Sequence, residues 1–134
     1  MYNRNMYLDR IERFLGKPVV KVISGMRRVG KSCLLRQIIN HLREDGVADG
    51  NILCIDMESL EYEHIRTYRE LQKAAEHLIL KQPGMKFLLV DEIQEIDGWE
   101  RTVASLAGRG DVDVLLTGSN AHLFSSELAT RLSG

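Results

Sequence analysis

The sequence predicts an α/β fold in which helices cover both faces of a parallel sheet. Four short runs are apolar at nearly every position, as is typical of strands buried on both sides; they span residues 19–23, 52–55, 87–90 and 112–116. After each of the first three runs, apolar residues return at helical spacing. This alternation predicts right-handed crossover connections and a ligand site at the carboxyl ends of the strands.

Each predicted helix is identified by its apolar positions. These are Leu34, Leu35, Ile38, Ile39 and Leu42 in the first helix, Leu71, Ala74, Ala75, Leu78 and Ile79 in the second, and Trp99, Val103 and Leu106 in the third. A similar pattern near the start of the chain ends before Gly16 and Pro18. We therefore expect residues 1–17 to form an amphipathic helix packed on the core, and residues 18–134 to form the core itself.

The composition is that of a soluble globular domain, with 134 residues, 44% hydrophobic and 28% charged. A net charge of −1 argues against a surface that is basic throughout and binds nucleic acid. Cys33 and Cys54 lack the spacing of a zinc site, and we interpret them as reduced core thiols of a cytoplasmic protein. No stretch approaches the roughly 18 apolar residues of a membrane span.

The stretch "GMRRVGKS", residues 25–32, joins the first predicted strand to the first predicted helix. It fits G-x-x-x-x-G-K-[ST], the phosphate-binding loop or Walker A motif, in its required context. Its glycines let backbone N–H groups approach phosphate oxygens, Lys31 would contact the β- and γ-phosphates, and the Ser32 hydroxyl would bind Mg²⁺. A glycine turn without a ligand is the less favoured alternative. The predicted nucleotide-binding residues are Gly25, Met26, Arg27, Arg28, Val29, Gly30, Lys31, Ser32 and Cys33.

Two adjacent carboxylates, Asp91 and Glu92, end the apolar run of "FLLVDEI". In a protein with a phosphate-binding loop, an acid at such a strand end supports Mg²⁺, and its neighbour can orient and deprotonate a water molecule. This pattern is the Walker B motif. We expect loss of Asp91 to weaken both Mg·ATP binding and turnover, and loss of Glu92 to lower turnover alone. Glu58, two residues after Asp56, is interpreted as a solvated turn acid.

The run "VLLTGSN" ends in small polar residues. Ser119 and Asn120 could reach the γ-phosphate or the attacking water, which predicts a sensor and a catalytic contribution together with Lys31 and Glu92. The same residue types also form turns and cap helices, so this alternative stays open.

The stretches "GMRRVGKS", "LLVDEIQEIDGWE" and "LLTGSNAHLFSSELATRLSG" occur in this order. Together they resemble the N-terminal ATPase domain of prokaryotic AAA+-superfamily proteins, the type usually followed by a C-terminal domain of unknown function. The resemblance covers essentially the whole chain. It implies a P-loop NTPase three-layer sandwich with sheet order 5-1-4-3-2, ATP and Mg²⁺ as ligands, Asp91 as the metal-supporting acid, Glu92 as the base, and Ser119 and Asn120 at the sensor position.

The chain departs from this family in two ways. Cys33 stands where Thr is more common, and only four strand runs are visible before the ending "TRLSG". We therefore expect the fifth strand to be missing and the core to be truncated at its C-terminal end. A fused C-terminal domain or another protein is the expected partner.

These features predict an ATPase that couples nucleotide state to conformational change. A nucleotide-gated binding module with little or no hydrolysis is the main alternative, and a small-molecule kinase is less favoured because no acceptor pocket is apparent. Arg27, Arg28 and Arg36 form a basic cluster, yet no aromatic residues accompany them, so we do not expect direct nucleic-acid binding by this segment. A motif that reads guanine is absent, which favours ATP.

Overall fold

The computed structural model describes residues 20–23, 28–118 and 129–131. The strands are β1 (Val20–Ile23), β2 (Ile52–Asp56), β3 (Lys86–Asp91), β4 (Val112–Thr117) and β5 (Ala129–Arg131). The α-helices in these residues are α1 (Arg28–Glu44), α2 (Tyr68–Lys81) and α3 (Trp99–Ala107). The predicted helix over residues 1–17 lies outside the described residues. Among the described helices, none is both long enough and apolar enough to cross a bilayer.

The strands form one five-stranded sheet in the order β2-β3-β4-β1-β5, and every pairing is parallel. Read from the other edge, this is the predicted order 5-1-4-3-2. The α/β fold is therefore confirmed.

The expectation that the fifth strand would be missing is wrong. Residues 129–131 pair with β1, with Thr130 opposite Lys21. The sequence did not predict this strand, because it has only three residues and no apolar run. An edge strand pairs along one side alone, so it can be short and polar where a central strand cannot.

Helices pack on both faces of the sheet, as predicted. On one face, Val22, Leu88, Val90 and other alternate strand residues pack with residues of α2 and α3. On the opposite face, Ile23, Leu89 and Leu115 pack with residues of α1. Every residue of β1, β3 and β4 is buried. Full burial of one aliphatic side chain stabilises a fold by about 1.5–3 kcal/mol, so these layers hold the strand ends in fixed positions.

A charged pair lies inside the sheet. Lys21 of β1 and Asp113 of β4 form a salt bridge whose side chains are 0% and 1% exposed. Alternation along the strands places both residues on the face that α1 covers, because their neighbours at the next alternate position, Ile23 and Leu115, pack there. Loss of one partner would remove this salt bridge from a buried charge, which is strongly destabilising.

Candidate functional site

The carboxyl ends of β2, β3 and β4 bring polar residues to one edge of the sheet. Asp56 is the register partner of Asp91, and Val90 is the partner of Leu116, so Asp91 lies beside Thr117. Thr117 is in turn the register partner of Ile23, the last residue of β1. Helix α1 begins soon after β1 and carries Lys31 and Ser32 to the same edge. Parallel pairing alone therefore unites segments that are distant in sequence.

Lys31 forms an ion pair with Glu92. The Lys31 Nζ atom donates to Glu92 Oε2 at 2.9 Å and to Oε1 at 3.2 Å, across 61 residues of sequence. The side chains are 9% and 20% exposed, so the two charges are partly shielded from water. This contact joins the loop lysine of the first motif to the acid of the second.

Thr117 connects Asp91 to the backbone of Glu92. Its hydroxyl donates a hydrogen bond to Asp91 Oδ1 and accepts one from the Glu92 N–H at 3.0 Å. Asp91 and Thr117 are buried. Thr117 therefore holds one carboxylate through its side chain and the next residue through its backbone.

Glu92 has a left-handed backbone conformation, with φ 62° and ψ 56°. This conformation costs a non-glycine residue roughly 1–2 kcal/mol, so surrounding contacts must maintain it. The Thr117 hydrogen bond to the Glu92 N–H is one such contact. Gln94 adds another, since its side-chain amide donates to Glu92 Oε1 at 3.2 Å. The turn thus directs the carboxylate toward α1.

A cleft of about 220 Å³ lies between α1 and the ends of β2 and β3. Its lining residues are Ser32, Leu35, Arg36, Ile39, Cys54, Asp56 and Asp91. Burial raises the pKa of the Cys54 thiol to about 11, and the nearby charges of Asp91 and Asp56 act in the same direction. The thiol is therefore protonated at neutral pH, and Cys54 is a free, partly buried cysteine that packs against the core on the α1 face.

The acids at this cleft suit a divalent cation. Oxygen atoms of Asp56, Glu58 and Asp91 all lie within 4.8 Å of one another. The Glu58 N–H donates to Asp56 Oδ1 at 2.9 Å, which fixes the turn that carries both residues. Carboxylate oxygens are hard ligands of the kind Mg²⁺ prefers, and adjacent like charges are relieved by a cation. Together with the Ser32 hydroxyl in the cleft, this donor set fits Mg²⁺.

Several predicted site residues are thus brought together, namely Lys31, Ser32, Asp91 and Glu92. Gly30 and Cys33 lie in α1 beside them, and the backbone of that helix begins at Arg28 and Val29. Gly25, Met26 and Arg27 lie outside the described residues, as do Ser119 and Asn120.

Sequence reasoning overlooked the roles of Thr117, Asp56 and Glu58. From the sequence alone, Glu58 is interpreted as a solvated turn acid, and neither Thr117 nor Asp56 is assigned to the site. The signal that could have found them is register. In a sheet of order 5-1-4-3-2, the last residues of β2, β3 and β4 are neighbours whatever their separation along the chain.

Comparison with known proteins places the chain in a family. Residues 17–134 match the model of the family described as "AAA domain". An "Uncharacterized protein" of Haemophilus influenzae is 40% identical over 134 residues, which are 100% of this chain and 34% of that protein. "Uncharacterized protein MJ1544" of Methanocaldococcus jannaschii is 37% identical over 120 residues, which are 86% of this chain and 24% of that protein. The chain thus spans about a third or less of the length of these relatives.

A solved structure shares the fold. The structure of C. elegans PCH-2 superimposes with a TM-score of 0.56 at 14% sequence identity, over 96% of this chain and 40% of that one. At this identity, the likeness shows a common architecture.

Proposed function

The chain belongs to the AAA domain family, and on that premise we propose that it binds ATP with Mg²⁺ and hydrolyses it, coupling nucleotide state to conformational change. The observation that carries this proposal is the meeting of Lys31 and Glu92 at 2.9 Å, next to Asp91. One edge of the sheet thus carries a lysine that could bind phosphate, a carboxylate that could activate water and a carboxylate that could hold a metal ion. This is the constellation that phosphoryl transfer to water needs.

Each residue has a defined task in this reaction. Lys31 would contact the β- and γ-phosphates, and Ser32 and Asp91, supported by Asp56 and Glu58, would hold Mg²⁺. When bound, Mg²⁺ offsets the charge of the phosphate oxygens. Glu92 would accept a proton from the water that attacks the γ-phosphorus, while the bond from that phosphorus to the ADP oxygen breaks. Thr117 would keep Asp91 and Glu92 in position throughout.

The ion pair suggests how nucleotide binding changes the conformation. Lys31 cannot bind phosphate oxygens at full strength while it is paired with Glu92. The Glu92 carboxylate in turn accepts a proton less readily while it is paired with a cation. Nucleotide phosphates would compete for Lys31 and release Glu92. The released carboxylate belongs to the turn that leads through Ile93–Glu95 toward α3. A further domain of a longer protein is the partner that we expect to respond.

The same contact also favours the second candidate, a nucleotide-gated binding module. If the pair persists when ATP is bound, Glu92 stays neutralised and hydrolysis is slow or absent. Product analysis with γ-labelled ATP separates the two functions, because only the hydrolase releases free phosphate. Transfer of the label to a small-molecule acceptor would instead identify a kinase.

The test measures phosphate release by the wild type, by Lys31→Ala and by Glu92→Gln. We expect release by the wild type and loss in both variants, with weaker Mg·ATP binding in Lys31→Ala. Glu95→Gln is the matched control, since Glu95 is an exposed acid of the same turn. Equal Mg·ATP affinity in the wild type and Lys31→Ala would refute nucleotide binding at this loop.

A further inference from the structure

A groove between α2 and α3 lies apart from the nucleotide site. It has a volume of about 460 Å³ and a mostly apolar lining. The lining residues are Tyr68, Arg69, Gln72, Lys73, Glu76, Arg101 and Thr102. We refer to these residues as the Tyr68 groove.

The floor of the groove is rigid. The Tyr68 N–H donates to the Asp97 carbonyl at 2.8 Å, and the Tyr68 carbonyl accepts from the Thr102 hydroxyl at 2.7 Å. The ring also packs directly on Gly98, where an added Cβ would lie 2.8 Å from the ring atom Cδ1. Gly98 has φ +71°, so both its conformation and this close approach require glycine. The aromatic ring is therefore a fixed surface.

Two guanidinium groups flank this ring. The Cζ atoms of Arg101 and Arg69 lie 4.4 and 5.4 Å from its centroid. Both arginines are exposed. Within the described part of the chain, neither guanidinium has a hydrogen bond or a salt bridge, and each lies over the Tyr68 ring. Their N–H donors remain available to a ligand.

Nearby acids do not neutralise these arginines. Glu70 accepts from the backbone N–H groups of Arg66 and Thr67, at 3.1 and 2.9 Å, in the capping box of α2. Glu76 accepts from the Gln72 amide at 3.3 Å. The groove thus combines an aromatic floor with two arginines that have no ion-pair partner among the described residues.

We propose that the Tyr68 groove binds an acidic peptide segment of a protein partner. Carboxylates match the planar donor fork of arginine, and apolar side chains of the same peptide would cover the Tyr68 ring. A nucleic acid fits less well, because a phosphate backbone needs a continuous basic track, whereas the basic residues of the groove are only Arg69, Lys73 and Arg101. This proposal goes beyond ATP hydrolysis and does not depend on it.

The test uses a fluorescein-labelled peptide in which Glu and Asp alternate with Leu. Fluorescence anisotropy gives its affinity for the full chain, and amide chemical shifts locate the site. We expect a matched peptide with Gln and Asn in place of the acids to bind about tenfold more weakly or worse. The Arg69→Gln, Arg101→Gln double variant should lose about tenfold or more in affinity, as expected for paired arginine anchors. Arg109→Gln is the control, since Arg109 is an exposed arginine that already pairs with Asp111.

Three results would overturn the proposal. They are no binding of the acidic peptide to the wild type, unchanged affinity in the double variant, and displacement of the peptide by a single-stranded oligonucleotide that binds more tightly. The last result would identify the groove as a nucleic-acid surface. Because no nucleotide is present in this assay, its failure leaves the proposed ATP hydrolysis untouched.

Discussion

Substitution of Glu92 by Gln should move nucleotide affinity and turnover in opposite directions. Gln keeps the size of the side chain and its ability to accept a hydrogen bond, and it removes the charge. In the wild type, phosphate must compete with a carboxylate whose oxygens lie 2.9 and 3.2 Å from Lys31 Nζ. In the variant, the uncharged amide of Gln competes with phosphate for Lys31 much less strongly. The sequence alone predicted a change in turnover and no change in binding.

The expected change in Mg·ATP affinity follows from the energy of the Lys31–Glu92 ion pair. Unit charges at this range attract by several kcal/mol at the dielectric of a protein surface, and lost hydration cancels most of that attraction. Because the Glu92 side chain is 20% exposed, screening lowers the gain further. A net contribution of about 1–2 kcal/mol remains, which corresponds to roughly 5- to 30-fold tighter Mg·ATP binding. Loss of a general base should lower kcat by about 10²-fold or more.

Isothermal titration calorimetry measures the affinity, and phosphate release measures kcat. Glu95→Gln should leave both values near those of the wild type, because its carboxylate has no hydrogen bond or salt bridge to Lys31 in the described residues. An affinity in Glu92→Gln equal to or weaker than that of the wild type would show that Glu92 does not compete with phosphate for Lys31. Unchanged kcat would show that another group is the base.

The remaining predictions concern the hydrogen bonds of Thr117, the salt bridge of Asp113 and the raised pKa of Cys54. Thr117→Val, which removes both hydrogen bonds of the hydroxyl, should lower kcat at least tenfold more than Thr117→Ser, which keeps them; equal rates would refute its positioning role. Asp113→Ala should destabilise the fold by about 3–5 kcal/mol in urea denaturation, because Lys21 loses its salt bridge inside the sheet; a loss below about 1 kcal/mol would contradict this. With a pKa raised from the usual 9.0 to about 11, Cys54 holds its proton in the folded chain and releases it more readily when unfolded. Alkylation of Cys54 near pH 8, followed by mass spectrometry, should therefore be roughly a hundredfold slower in the folded than in the unfolded chain, and folding stability should decline between about pH 9 and 11. Equal alkylation rates would refute the raised pKa.

The layered fold could be predicted because its signal is local. Central strands such as β3 and β4 are buried along their full length, so each contains a run that is apolar at nearly every position. The helices are equally visible, since one face of each is apolar. The fifth strand carries no such signal, because its three residues contain no apolar run and only its pairing with β1 identifies it. Only knowledge of the sheet order leads to it.

The candidate site was predictable to a similar extent and for a similar reason. The loop and the Asp91-Glu92 pair are contiguous motifs, whereas the geometry that gives them chemical meaning joins different strands. The ion pair of Lys31 with Glu92 spans 61 residues, and Glu92 forms it from a backbone conformation with φ 62°. The residue types in "VDEI" do not predict this conformation, because none of them is glycine. Thr117 helps maintain that conformation from the neighbouring strand, through a hydrogen bond to the Glu92 N–H. Under the proposed function, a nucleotide that draws Lys31 away would remove the ion pair of Lys31 with Glu92 from a strained turn. We therefore expect the response to ATP to begin at the part of the site that the sequence does not predict.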